Sequence, residues 1–292
     1  MKAVYQERPL AEDIFYRSAD DRLELYACDY GGDGMPVLCM HGLTRNSADF
    51  AALAEHLSPR YRVIVPDVRG RGRSAWDDQP ANYIPPVYVQ DMLKLLADLG
   101  IERAALIGTS MGGLMAMIMA ALSPQTVAGM VLNDVGPELD PAGLKRIASY
   151  TGKGKPVATW AEAAAAARAI NDVAFPHYGD ADWMAFARRL FIEKDGVPVA
   201  AYDPAIAQAF VPQDPPAPPV DLWPLWDKTS DIPVLSIRGE LSDLLAPDTV
   251  AQMGARHPGM AAVTVPGVGH APMLDEPSAL TAIDTFLKSL NH

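Results

Sequence analysis

A chain of 292 residues, 49% hydrophobic and 21% charged, can bury roughly three quarters of the surface its unfolded form exposes, so it needs neither disulfides nor a structural metal to fold. Its formal charge is −12, from 36 acidic and 24 basic residues with no Lys/Arg-rich run. That balance argues against nucleic acid or anionic membrane as a partner and leaves small uncharged or modestly charged molecules.

The opening MKAVYQERPLAEDIF carries charges where a signal peptide needs its apolar core, and the longest apolar stretch, residues 113–122, is about half a membrane span. A cytoplasmic protein is expected. Residues 13–18, 22–30 and 36–40 read as strands, the first two joined into an antiparallel hairpin by the short turn Ala19-Asp20-Asp21. Cys28 and Cys39 fall inside these apolar segments without metal-ligand or CxxC spacing, and both read as buried thiols.

From there Val-, Ile- and Leu-rich strands alternate with helical periodicity: helix 47–57, strand 61–66, helix 87–99, strand 104–108, helix 111–122 and strand 128–133. Such alternation marks βαβ units around a parallel sheet. It stops between residues 140 and 230, where helical stretches at 160–170 and 181–191 precede the proline-rich PQDPPAPPVDLWPLW. It resumes with strand 233–238, helix 247–256, strand 261–265 and helix 278–290. The expected fold is α/β, a mostly parallel sheet of about eight strands with helices on both faces. Residues 1–139 and 231–292 form its core, and 140–230 an inserted helical cap.

Gly108-Thr109-Ser110-Met111-Gly112 matches G-x-S-x-G between a strand and a helix, where the motif has mechanical meaning. So sharp a turn strains the serine backbone, and the two glycines remove side chains that would clash. Ser110 is therefore the expected nucleophile. An acyl-transfer intermediate needs N–H donors for its oxyanion. One is expected from Met111, the residue after the nucleophile, and the other from Leu43 in the loop His41-Gly42-Leu43-Thr44 that follows the third strand. His41 reads as an imidazole that holds this loop, and Arg45 stands where it could meet a substrate carboxylate.

A serine hydroxyl needs a base, and the base needs a third group to hold its tautomer. Of His41, His56, His177, His257, His270 and His292, only His270 follows a late strand in a glycine-rich turn, Pro266-Gly267-Val268-Gly269-His270. Three carboxylates are candidates for the acid: Asp134 after the sixth strand, and Glu240 and Asp243 after the seventh. Loop length favours Asp243, because Glu240 sits close to the strand end. Trp223 and Trp226 are candidate pocket residues, against core packing as the default for such side chains.

The segments MHGLTRNSADF, VPDVRGRGRS, GTSMGGLMAM, VLNDVGPEL, RGELSDLLAP and GVGHAPMLDEP together resemble the α/β-hydrolase superfamily over nearly the whole chain. The resemblance implies an eight-stranded sheet with its second strand antiparallel, a helical cap after the sixth strand, and no cofactor or metal for hydrolysis. It supports Asp243, because RGELSDLL is similar to the acid-bearing loop of many members. It makes Asp67-Val68-Arg69-Gly70-Arg71-Gly72-Arg73-Ser74 a structural turn shaping the sheet's edge, and Asp134 a loop anchor. The implied activity is hydrolysis of a small ester or lactone. A carbon–carbon hydrolase of ring-cleavage diketones and a non-enzymatic small-molecule receptor are the alternatives.

Overall fold

The computed structural model describes residues 11–210 and 221–290. The first ten residues, and the start of the proline-rich run at 212–220, lie outside them. Strands β1 (Glu12–Arg17), β2 (Glu24–Asp29), β3 (Pro36–Met40), β4 (Arg62–Asp67), β5 (Ala104–Thr109) and β6 (Val127–Asn133) precede the insertion. Within it lie β7 (Phe191–Lys194) and β8 (Val197–Ala200), and after it β9 (Val234–Gly239) and β10 (Met260–Val265). Eight of these make one sheet in the order β1-β2-β4-β3-β5-β6-β9-β10. Only β2 runs against its neighbours, pairing antiparallel with both β1 and β4, and the pairs from β4 to β10 are parallel.

Side chains alternate across the strands, so the sheet is buried on both sides. Leu38, Met40, Leu106 and Leu132 face one apolar layer with α2 (Pro85–Asp98) and α3 (Met111–Leu122). Their neighbours Val37, Cys39, Ile107 and Val131 face the other, with α1 (Ala51–Leu57) and α9 (Pro277–Ser289). Both cysteines are free and buried in this second layer, and burial pushes the Cys39 thiol up. Helix α2 starts two residues before the periodicity does, because Pro85 and Pro86 suit the first helical turn, where an N–H is not needed. Among the described residues no helix is long and apolar enough to cross a membrane.

Between β6 and β9 the chain forms α4 (Pro141–Tyr150), α5 (Trp160–Asn171), α6 (Asp180–Leu190), the β7–β8 hairpin and α7 (Trp223–Asp227). Helices α5 and α6 share a small core of their own, in which Phe175, Trp183 and Phe186 meet edge-on or tilted with centroids 5.5 to 6.5 Å apart. The hairpin departs from the all-helical insertion expected of this region. Its turn is Asp195-Gly196, with φ of 54° and 79°, the residue pair that a two-residue primed turn requires.

Candidate active site

Strand β5 leads through Ser110 straight into α3, and the turn is tight enough to hold Ser110 at φ 52°, ψ −113°. A Cβ on Gly112 would sit 2.0 Å from the Met40 carbonyl oxygen, and one on Gly108 2.3 Å from the Gly112 backbone. Only glycine allows strand and helix to approach this closely. As the first residue of α3, Met111 has an N–H with no acceptor inside the helix.

His270 lies on the loop after β10 and faces the serine, with Nε2 3.0 Å from Ser110 Oγ. Its Nδ1 is 2.8 Å from Oδ2 of Asp134. This corrects the expectation for the acid: the carboxylate on His270 belongs to Asp134, not Asp243. The reason is local. Asp134 ends β6 in the left-handed region, φ 56°, a conformation that Asp tolerates better than most residues. The carboxylate is fully buried and held there, Oδ1 accepting from Gly239 N–H at 2.8 Å and Oδ2 from Ser242 Oγ at 2.5 Å. Asp243 is instead gripped by Arg146 of α4 through two bonds of 2.5 and 2.8 Å, and these hold its carboxyl below the usual carboxylate range. Glu240 accepts from Gly267 N–H and braces the turn before His270. Asn133, which the sequence reading passed over, binds this loop to the sheet, its Nδ2 donating to Pro272 O and Thr109 Oγ1.

The loop His41–Thr44, from which an oxyanion donor is expected, is fixed by His41. This imidazole is fully buried, with Nδ1 2.8 Å from Gly42 O and Nε2 accepting from Val68 N–H at 3.0 Å. Donation from Nδ1 pins the Gly42–Leu43 peptide, whose N–H points the opposite way. The loop lies beside Ser110, since a Cβ on Gly42 would come within 3.8 Å of Ser110 Cβ. Burial pushes the His41 pKa down to about 4, against 6.5 for a free imidazole. Between these values the unfolded chain binds a proton that the folded one does not, so stability rises with pH across the window and is lost as pH falls through it. The expected loss is about 3 kcal/mol from pH 6.5 to 4. Denaturant titrations of the wild type and His41→Gln across that range measure it. An equal pH dependence in both proteins would remove His41 as its source.

The site opens on a cavity of about 460 Å³, lined by core and insertion alike, with Leu43, Ser110, Ile147, Tyr150, Phe191 and Val199 among its walls. Arg45 lines this cavity, but its guanidinium is bonded twice to Asp49 and stacked 4.3 Å from the Phe186 ring. Lys155, exposed on the same wall, has no carboxylate partner among the described residues. The two tryptophans do not line the cavity. Trp226 is fully buried against α3 in the sheet's core, and Trp223 is stacked under Arg256. Both sit on α7, which packs against α3, so helix position overrides their aromatic character. Among the described residues no cluster of His, Cys, Asp and Glu is arranged to hold a metal.

Residues 35–277 match the family model of the alpha/beta hydrolase fold. The 3-hydroxybutyrate-oligomer hydrolase of Cupriavidus necator is 38% identical over 256 residues, 86% of this chain and 87% of the relative. The 2-(acetamidomethylene)succinate hydrolase of Mesorhizobium japonicum is 30% identical over 82% of each chain. The crystal structure of an alpha/beta hydrolase from Novosphingobium aromaticivorans superposes with a TM-score of 0.89 at 43% identity, covering 97% of this chain and 99% of that one. A family match over most of the chain, hydrolase relatives matched over more than four fifths of their length and the sheet order described above agree: the chain belongs to the α/β hydrolase fold family and is an enzyme of the hydrolase class.

Proposed function

We propose that this enzyme cleaves ester bonds in short oligomers of a hydroxy acid through an acyl-enzyme on Ser110. The observation that carries the reading is the continuous contact Ser110 Oγ–His270 Nε2 and His270 Nδ1–Asp134 Oδ2 on the floor of the cavity. In the first half-reaction Ser110 Oγ attacks the ester carbonyl carbon while its proton passes to His270 Nε2. The charge gathering on the carbonyl oxygen falls to the N–H groups of Leu43 and Met111. Collapse breaks the C–O bond, and the proton on Nε2 goes to the departing alkoxide. Water then attacks the acyl-serine by the same route, returns the proton to Ser110 and releases the acid.

The substrate class draws on the relatives. Hydroxybutyrate and succinate, which their names contain, are carboxylic acids, and a hydroxy-acid oligomer ends in a free carboxylate. Lys155 is the cation placed to meet one, while the Arg45 charge is already shared with Asp49. The cavity volume is within the range of small-molecule sites.

Treatment with a fluorophosphonate probe should label the wild type at Ser110 and leave Ser110→Ala unlabelled. Hydrolysis of 3-hydroxybutyrate trimer should exceed that of a matched lactone and a vinylogous diketone. A lysine-to-methionine change at 155 should raise KM for the trimer about tenfold, the scale of one charge-assisted contact, and spare a neutral ester of the same length. Preference for the diketone would favour carbon–carbon hydrolysis. No labelling and no turnover of the trimer would overturn the acyl-enzyme reading at Ser110.

A further inference from the structure

The turn Asp67–Ser74 does not sit at the sheet's edge. It follows β4, an interior strand, and lies beneath the oxyanion loop. The turn is built to hold one side chain inward. Gly70 and Gly72 both have positive φ, 77° and 53°, and a Cβ on Gly72 would sit 2.1 Å from Asp67 Oδ2. Asp67 in turn accepts from the N–H groups of Ser47 and Arg73. Between the glycines stands Arg71, whose side chain is fully buried.

The two buried arginines of this turn differ. Arg69 is neutralised by Asp77 and Asp91 at 2.7 Å each. Arg71 forms no ion pair with any carboxylate among the described residues. A buried charge left without a counter-ion is costly, so its retention points to something gained elsewhere. Its donors go to neutral groups: Nε to Leu43 O at 2.9 Å, Nη1 to Arg69 O at 2.8 Å and to Tyr88 Oη at 3.0 Å. Nη2 lies 3.7 Å from Met111 Sδ, and the rings of Tyr88 and Tyr83 are 4.9 and 5.6 Å away. One cation thus touches both residues read above as oxyanion donors.

We propose that Arg71 is the positioning residue of the oxyanion hole, fixing the Leu43 donor through its carbonyl, packing against the Met111 side chain, and lending both donors a positive charge that has no ion-pair partner among the described residues. The inference rests on the reading of Ser110, Leu43 and Met111 as the acyl-transfer site. Leu43 is held by the peptide on either side of it: His41 fixes the Gly42 carbonyl and Arg71 the Leu43 carbonyl. With both planes pinned, the Leu43 N–H cannot swing as charge develops. Donors fixed in advance need no reorganisation, and a full charge behind them in a medium of low polarity deepens the well for an anion. Arg71 touches no substrate. It acts through the backbone it holds.

The test compares wild type, Arg71→Gln and Arg71→Lys in the rate of fluorophosphonate labelling at Ser110 and in steady-state hydrolysis of p-nitrophenyl butyrate. The expected result for Arg71→Gln is labelling and kcat slowed about 10- to 100-fold, with KM within about threefold of wild type; loss of one entire oxyanion donor costs about 100- to 1,000-fold. Arg71→Lys keeps the charge and a donor, and should lie between the two. A merely structural role would lower the melting temperature without separating kcat from KM. If Arg71→Gln fails to fold, a folded Arg71→Lys slowed more than threefold supports the proposal, and one at the wild-type rate overturns it. Wild-type rates in both variants overturn it while leaving the Ser110 reading intact. An unlabelled wild type overturns that reading first.

Discussion

Replacing Asp134 with Asn is expected to lower kcat by about 10⁴-fold, whereas Asp243→Asn should change it by less than tenfold. In the mechanism proposed above, the carboxylate of Asp134 accepts from His270 Nδ1–H, which leaves Nε2 bare to take the Ser110 proton. An asparagine would keep Oδ1 on the Gly239 N–H and turn its amide toward Ser242 and His270. The imidazole would then accept at Nδ1 and carry its proton on Nε2, the wrong tautomer for a base. Asp243→Asn removes a charge that Arg146 already holds, and no hydrogen bond to His270. Steady-state hydrolysis of one activated ester by both variants, with folding checked by circular dichroism, decides the matter. A larger loss in Asp243→Asn would return the acid to the loop after β9.

The second large effect is on folding. Gly112→Ala should destabilise the protein by about 4 kcal/mol or more, or prevent it from accumulating folded. The added methyl would meet the Met40 carbonyl oxygen at 2.0 Å, and backbone on both sides leaves no flexible side chain to yield. Moving α3 away from β3 would relieve the clash only by opening the core that Met115, Met119 and Met40 share. Gly154→Ala is the control, because a Cβ there meets nothing within 4 Å. Guanidinium unfolding of both variants gives the difference, and equal midpoints would contradict the tight-turn account.

The elements whose signals are local could be read from the sequence. Ser110 stands in a five-residue motif between a strand and a helix, and His270 in a glycine-rich turn after a late strand, so spacing singles out both, and the structure brings their side chains together. The partner of His270 is a different kind of problem. Asp134 and Asp243 both follow strands at the same end of the sheet, and the outcome depends on a single left-handed dihedral at Asp134 and on Arg146, a residue nearly a hundred positions from Asp243. Neither has a periodicity to announce it. Trp223 and Trp226 show the same limit, because an aromatic residue fits a core as well as a pocket and only the seat of α7 decides. The β7–β8 hairpin was within reach: Asp195-Gly196 is a hairpin signal, but helix-like periodicity over 181–191 ran through Phe191, where the strand begins.

The location of the buried acid has a consequence for how such a molecule can change. With Asp134 seated just after β6, its carboxylate is held by Gly239 at the end of β9 and by Ser242 in the loop beyond, while Asp243 of the same loop holds the insertion through Arg146. On the mechanism proposed above, the proton path and the hold on the insertion are then anchored on adjacent but separate stretches of chain. Mutations can remodel α4 and its latch, and with them the shape of the cavity, while the proton path stays as it is. Directed evolution toward a new substrate should therefore accumulate its changes at Arg146, Asp243 and their neighbours first.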